Sequence, residues 1–381
     1  MRGKQPGTRP GPRRRRLVRL LKRLFKAAAL AVAIAAVWSA LFIGIRCYGS
    51  GSRPQVLPPE VERASAGLNG YAREEASTFL TLPEWYIVYN AEEYARFTGG
   101  QSPARFPYFR SIGQFWRYYG GVCDATKGVY PFSTGNHVML AVIGSSFTAE
   151  YAIRALYENT LGRLSEAIAG RDTPEDAFAH KTAVEYGTFM HTVPWYEFPF
   201  FGRLSQLWRG TPMRGPHLAR KWERRAALTA EYGVKGIYGW LIGLSSGAAY
   251  GPEDLRIHAR IENAADAVFA DGVVRQVKPL GPRTYIVTIP RYEAFTARTK
   301  ILIGQGVHFL DVAGNDEILV TVLAPASLKT ADIGGPVMLD ETFLTDAATR
   351  RIALAVEVRS LHEILPRLEK MGATIEHIYD Y

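Results

Sequence analysis

The chain has 381 residues, 47% hydrophobic and 22% charged, which suits a large buried core and excludes a disordered chain. Its two cysteines exclude a disulfide scaffold and a cysteine-rich zinc site. The formal net charge of +10 is confined to one end: residues 60–381 carry 33 Lys+Arg against 36 Asp+Glu, so a basic nucleic-acid surface is not expected.

The tail 1–26 holds eleven bases and no acid, and it leads into Ala27–Ile45, 19 uncharged residues between Lys26 and Arg46. At about 1.5 Å per residue this stretch is long enough to cross a bilayer core of roughly 30 Å. It exceeds a signal h-region in length and does not end in a small-x-small site, so a single transmembrane anchor is expected. The positive-inside rule puts the N-terminus in the cytoplasm and the bulk outside, at a plasma membrane of bacterial type. The lipid bilayer is thus an expected partner, and the tail also suits anionic headgroups. Residues 46–59 read as a Gly/Ser/Pro-rich linker. Cys47 and Cys123 leave three readings open: a bond to each other, an intermolecular bond, or two buried thiols.

Residues 60–250 read as a helical, aromatic-rich domain. Thr81–Glu84 and Thr173–Asp176 carry helix-start signals. Pro107–Tyr119 predicts a short helix stopped by Gly120-Gly121. Asn136–Ile168 predicts a long one broken near Gly162, and Pro216–Gly247 one or two with breaks at Gly233 and Gly236. Phe79–Tyr119 contains 13 aromatics in 41 residues, and Trp195–Phe201 is a second cluster. Such side chains suit a core, a membrane-facing surface or a pocket for a flat ligand. Gly128–Ala149 and Gly236–Pro252 are uncharged, but their apolar runs are short or rich in Gly and Ser, so buried helices are expected there.

From residue 251 the apolar period becomes two. The fold class expected is α+β: the N-terminal transmembrane helix, the helical domain, then a C-terminal α+β sandwich in ferredoxin-like order. Hairpins are predicted around Gly281-Pro282 and around Gly314-Asn315-Asp316. Ala324–Ala348 reads as irregular, Arg351–Val358 as a strand, Ser360–Met371 as a helix with Ser360 and Glu363 as capping box, and Thr374–Tyr379 as the last strand. No repeat at a fixed period is visible.

Five residues are candidates for ligand binding. Glu150 and Arg154 interrupt the apolar stripe of the long helix four residues apart, where they can pair. Charges facing a core need good partners, so they mark an ion-pair network, shared with Glu158, or a ligand site. Glu84 and Glu197 are acids among aromatics, where burial raises a carboxyl's pKa. His137 completes the set as a polar residue in an apolar run. His180 and His191 share a helix face about 16 Å apart, too far for one metal ion. Gly243–Gly247 matches G-x-S-x-G, but without a preceding strand. Arg220–Arg225 reads as a solvated turn or as partner for acidic helices. No metal, cofactor or catalytic set is expected. The reading is an anchored binding or assembly module, with the aromatics or the sheet contacting a protein or lipid-like ligand; the alternative is an enzyme on a lipid-linked or envelope substrate.

Overall fold

A computed structural model describes residues 26, 29–49, 51, 57–246 and 255–380. The basic tail before Lys26, most of the linker and Gly247 lie outside the described residues.

The chain opens with α1 (Ala29–Cys47), which among the described residues is the one helix long and apolar enough to cross a membrane. Its last five residues, Ile43–Cys47, form a π turn. Then come α2 (Pro59–Ser65), α3 (Ala76–Leu80), α4 (Leu82–Thr98), α5 (Tyr108–Thr126) and α6 (Thr134–Tyr157). A π turn, Glu158–Gly162, leads into α7 (Arg163–Ala169), followed by α8 (Pro174–Phe189), α9 (Phe200–Gly210) and α10 (Leu218–Ser246).

Local chemistry explains some of these boundaries. The Thr173 hydroxyl accepts from the Asp176 N–H while the Asp176 carboxylate accepts from the Thr173 N–H, a complete capping box for α8. At the expected break near Gly162 the helix instead widens by one π turn, with Glu158 packed where a Cβ would stand. Gly120 and Gly121 do not stop α5, and Gly233 and Gly236 do not break α10, because packing overrides their weak propensity.

The aromatics of Phe79–Tyr119 are mostly core. Tyr86, Tyr89, Phe115, Tyr118 and Tyr119 are buried with Phe147, which corrects the idea of an aromatic contact surface there. Their hydroxyls are satisfied internally: Tyr86 donates to the Ser111 carbonyl at 3.0 Å, and the Tyr119 hydroxyl lies 2.8 Å from His137 Nδ1.

The C-terminal half contains β1 (Arg256–Glu262), β2 (Arg275–Gly281), β3 (Thr284–Pro290), α11 (Glu293–Gly304) and β4 (His308–Val312). It continues with β5 (Glu317–Pro325), α12 (Thr330–Ile333), β6 (Val337–Thr342), β7 (Thr349–Glu357), α13 (Leu361–Lys370) and β8 (Thr374–Ile378). The strands form two four-stranded antiparallel sheets, ordered β2-β3-β1-β4 and β6-β7-β5-β8. The same β-β-β-α-β order thus occurs twice, in place of one ferredoxin-like sandwich. Helix α11 touches β8 of the other sheet, and α13 touches β4, so one apolar core joins both units. The hairpin expected around Gly314 is absent: β4 and β5 belong to different sheets, and Gly314, at φ +79°, turns the chain between them. Strand β6 carries no clean alternation, which hid its signal, whereas β1 alternates buried Ile257, Ala259 and Ile261 with polar residues. Helix α13 keeps Pro366 inside, and Ser360 makes no side-chain cap.

The halves share buried polar contacts. The Tyr89 hydroxyl lies 3.1 Å from Thr321 Oγ1 and 2.9 Å from the Tyr379 hydroxyl. Arg351 stacks 4.0 Å over the Tyr89 ring and donates to both Glu376 oxygens at 2.6 and 2.7 Å. Helix α1 is not free either. Cys47 is disulfide-bonded to Cys123 of α5, the Ser39 and Ser145 hydroxyls are 2.8 Å apart, and Phe42 packs edge-on against Trp116 at 4.8 Å.

Candidate binding cavity

A cavity of about 550 Å³ lies between α4, α6, α8 and α10. Tyr94, Tyr151, Tyr186 and Tyr232 supply aromatic wall. Thr98, Gly99 and Arg171 stand at one end, with His180 Nδ1 3.4 Å from the Thr98 hydroxyl.

Four of the charged residues that line this cavity form an alternating ring. Helices α6 and α10 run antiparallel, since Tyr157 meets Glu223 at one end and Ser146 meets Tyr238 further along. Each offers a charge pair at i, i+4, which puts both members on one face. On α6, Arg154 lies 3.4 Å from Glu150; on α10, Lys235 lies 3.5 Å from Glu231. Across the gap, Lys235 is 2.9 Å from Glu150 and Arg154 is 3.7 Å from Glu231. Arg154 also stacks over Tyr94 at 4.5 Å, and Lys235 over Tyr186 at 5.0 Å.

Burial acts to raise the Glu231 carboxyl, but Arg154 and then Lys235 outweigh it and hold it below the usual carboxylate range. Burial acts to lower the Lys235 ammonium, but Glu150, Tyr186 and Glu231 raise it well above an ordinary lysine. Glu231 and Lys235 therefore stay ionised at neutral pH.

Beyond the ring, α10 carries a second network that faces inward. Arg220, Lys221, Arg224 and Arg225 are all buried. They pair with Asp176 at 2.7 Å, Glu175 at 3.1 Å, Glu158 at 2.8 Å and Glu175 at 2.6 Å respectively. Residues 220–225 are thus ion-pair partners of the acidic helices and not a solvated turn. Glu158 bonds Arg224 here, not the Arg154 expected from spacing.

Of the sequence candidates, Glu150 and Arg154 meet in the cavity; the other three do not line it. His137 is buried beside the disulfide, stacked 4.3 Å from the Phe132 ring, and burial lowers its pKa. Glu84 stands in the first turn of α4, where burial raises its carboxyl and Arg291 pulls it back. Glu197 is exposed in the turn Trp195–Glu197. Spacing on α6 found half of the ring. Its other half, Glu231 and Lys235, has the same i, i+4 spacing, but a helix read as broken at Gly233 hid it.

Cys47, Cys123 and His137 have ligand atoms within 4.8 Å of one another, but both sulfurs are used in the disulfide and are not thiolates. His191 lies apart from His180, with Nε2 2.7 Å from Glu92. Ser245 falls inside α10, so the strand-turn-helix that a nucleophile elbow needs is absent at that serine. Comparison with protein-family models, with curated proteins and with solved structures found no match.

Proposed function

We propose that this is a membrane-anchored binding protein that holds a small polar or amphiphilic ligand in the cavity between α4, α6, α8 and α10. The observation that carries this is the ion-paired ring of Glu150, Arg154, Glu231 and Lys235 on the wall of an aromatic cavity large enough for a ligand. Two acids and two bases suit a ligand head that carries both charge signs or several hydrogen-bonding groups. The tyrosines suit its apolar body. In this reading α1 crosses the membrane, the basic tail stays on the cytoplasmic side, and the sheet half lies outside. The Cys47–Cys123 bond, just beyond the apolar stretch, supports an oxidising compartment there.

An enzyme acting on a lipid-linked substrate is the second reading, favoured by the carboxylates gathered in one cavity, Glu150 and Glu231 among them. Arg154 and Lys235 hold the Glu231 carboxyl below the usual carboxylate range, which makes it a poor proton donor at neutral pH, so binding is preferred.

The test is to purify the full chain from its membrane in detergent, extract bound small molecules and identify them by mass spectrometry. Ala183 lines the cavity, and an Ala183→Trp variant puts an indole into it. A species present with the native chain and absent from an equally stable Ala183→Trp supports binding. The same species in both, or none in either, overturns it.

A further inference from the structure

We infer that the outward faces of α6 and α10 lie against membrane lipid, beside α1. The inference rests on the membrane-anchored reading above and adds a second, lateral membrane contact.

The observation is an inverted polarity. Every charge of α10 is turned inward or half-buried in the two ion-pair networks. The exposed residues of α10 from Leu218 to Leu244 include no charge at all. Val234 is 67% exposed, Ile237 56%, Trp240 61% and Leu244 64%. Helix α6 repeats the pattern: its exposed large residues are Val138, Val142, Ile153 and Leu156, while Glu150 and Arg154 face the cavity. A water-facing helix shows the opposite arrangement, and apolar patches of this extent mark a contact surface.

The occupant follows from continuity. Ser39 of α1 meets Ser145 of α6, and Ser146 of α6 meets Tyr238 of α10 at 3.3 Å, so the three apolar faces adjoin. Whatever solvates α1 reaches the other two. Trp222 and Trp240 are both exposed on this side of α10, and tryptophan is enriched where lipid meets water. The opposite side of the bundle cannot enter lipid. There α5 packs on β6, with Arg117 bonded to Glu341, and Glu93 of α4 accepts from Thr345. The bundle therefore meets lipid on one side only and is not surrounded by it.

The native cysteines are paired, so a thiol-reactive fluorophore reports single introduced cysteines. The full chain carrying Val142→Cys, Ile237→Cys or Leu241→Cys is labelled and placed in phosphatidylcholine vesicles. Some of the vesicles contain lipid with a doxyl quencher high on the acyl chain. Glu363→Cys on α13 is the water-side control. Quenching several-fold stronger at 142, 237 and 241 than at 363 is expected. Water-like emission without lipid quenching overturns the inference. A blue-shifted label that lipid does not quench also overturns it, because a second protein surface would then cover the face. Alkaline washing of the same vesicles tests the anchor separately: a chain that stays with the lipid but shows no quenching keeps α1 as anchor and loses only the lateral contact.

Discussion

Lys235 Nζ on α10 lies 2.9 Å from Glu150 Oε1 on α6, and this contact closes the ring that Arg154 and Glu231 complete. A lysine bonded to two carboxylates from two helices sets the helix spacing and the electrostatics of the cavity together.

Replacing Lys235 by Met leaves Glu150 and Glu231 to share Arg154. Breaking a buried pair costs roughly 3–5 kcal/mol. These side chains remain partly open to the cavity, so the expected loss is toward the lower end. Thermal unfolding of the detergent-solubilised chain should show a clear drop in Tm. Adding Glu150→Gln should recover part of it, because the orphaned charge is gone. A double variant less stable than the sum of the single losses would contradict the ring.

The Cys47–Cys123 bond closes a chain segment with a sequence separation of 76. Loop-entropy arguments give such a bond about 4 kcal/mol, whatever share is entropic. Alkylation with mass spectrometry should find no free thiol in the native chain and two after reduction. The Cys47→Ser, Cys123→Ser double variant should unfold at lower temperature, with α1 loosened from α5. Two free thiols in the unreduced chain would refute the pairing.

Two histidines make stability depend on pH in opposite senses. The hydrogen bond to Glu92 raises His191 above an ordinary histidine, against the effect of burial. Its contribution is complete below the unfolded pKa of about 6.5 and is lost as pH rises through the higher folded value. Burial lowers His377, stacked 3.7 Å from Trp85, well below that value. Its contribution is complete above about 6.5 and is lost as pH falls toward the folded value. Tm against pH should therefore peak near neutrality. His191→Gln should flatten the alkaline side and His377→Gln the acid side. A profile unchanged by His191→Gln would remove that pair from the account.

What was legible in the sequence followed the range of the interaction. The capping box at Thr173, the i, i+4 pair Glu150–Arg154, the apolar α1 and the hairpin β2–β3 are local patterns, and the structure contains all four. The pairing of Glu150 with Lys235 joins residues 85 positions apart, and no period reports which face of α10 turns inward. Hydropathy counts the charges of α10 without knowing that Arg220 and Lys221 are 0% and 3% exposed. The doubled β-β-β-α-β order escaped for the same reason, since the sheets are closed by pairings such as β1 with β4 and β5 with β8, which lie far apart in the sequence.

Two glycines of α10 should respond in opposite directions to the same substitution. Gly233 has no heavy atom within 4 Å of an added Cβ. Its backbone is helical, so Gly233→Ala gains helix propensity, about 0.8–1 kcal/mol, with nothing to displace. At Gly239 an added Cβ would stand 2.8 Å from the Tyr196 carbonyl oxygen and 3.3 Å from its Cα. These are backbone atoms of the turn Trp195–Glu197, which cannot rotate away as a side chain would. Overpacking of this kind costs roughly 1–3 kcal/mol, enough to exceed the propensity gain. Gly233→Ala should therefore raise Tm and Gly239→Ala should lower it, by differential scanning calorimetry on the purified chain. A rise in both would mean that α10 does not pack on the 195–197 turn as described. The cavity wall at Phe200, just beyond that turn, would then need a different support.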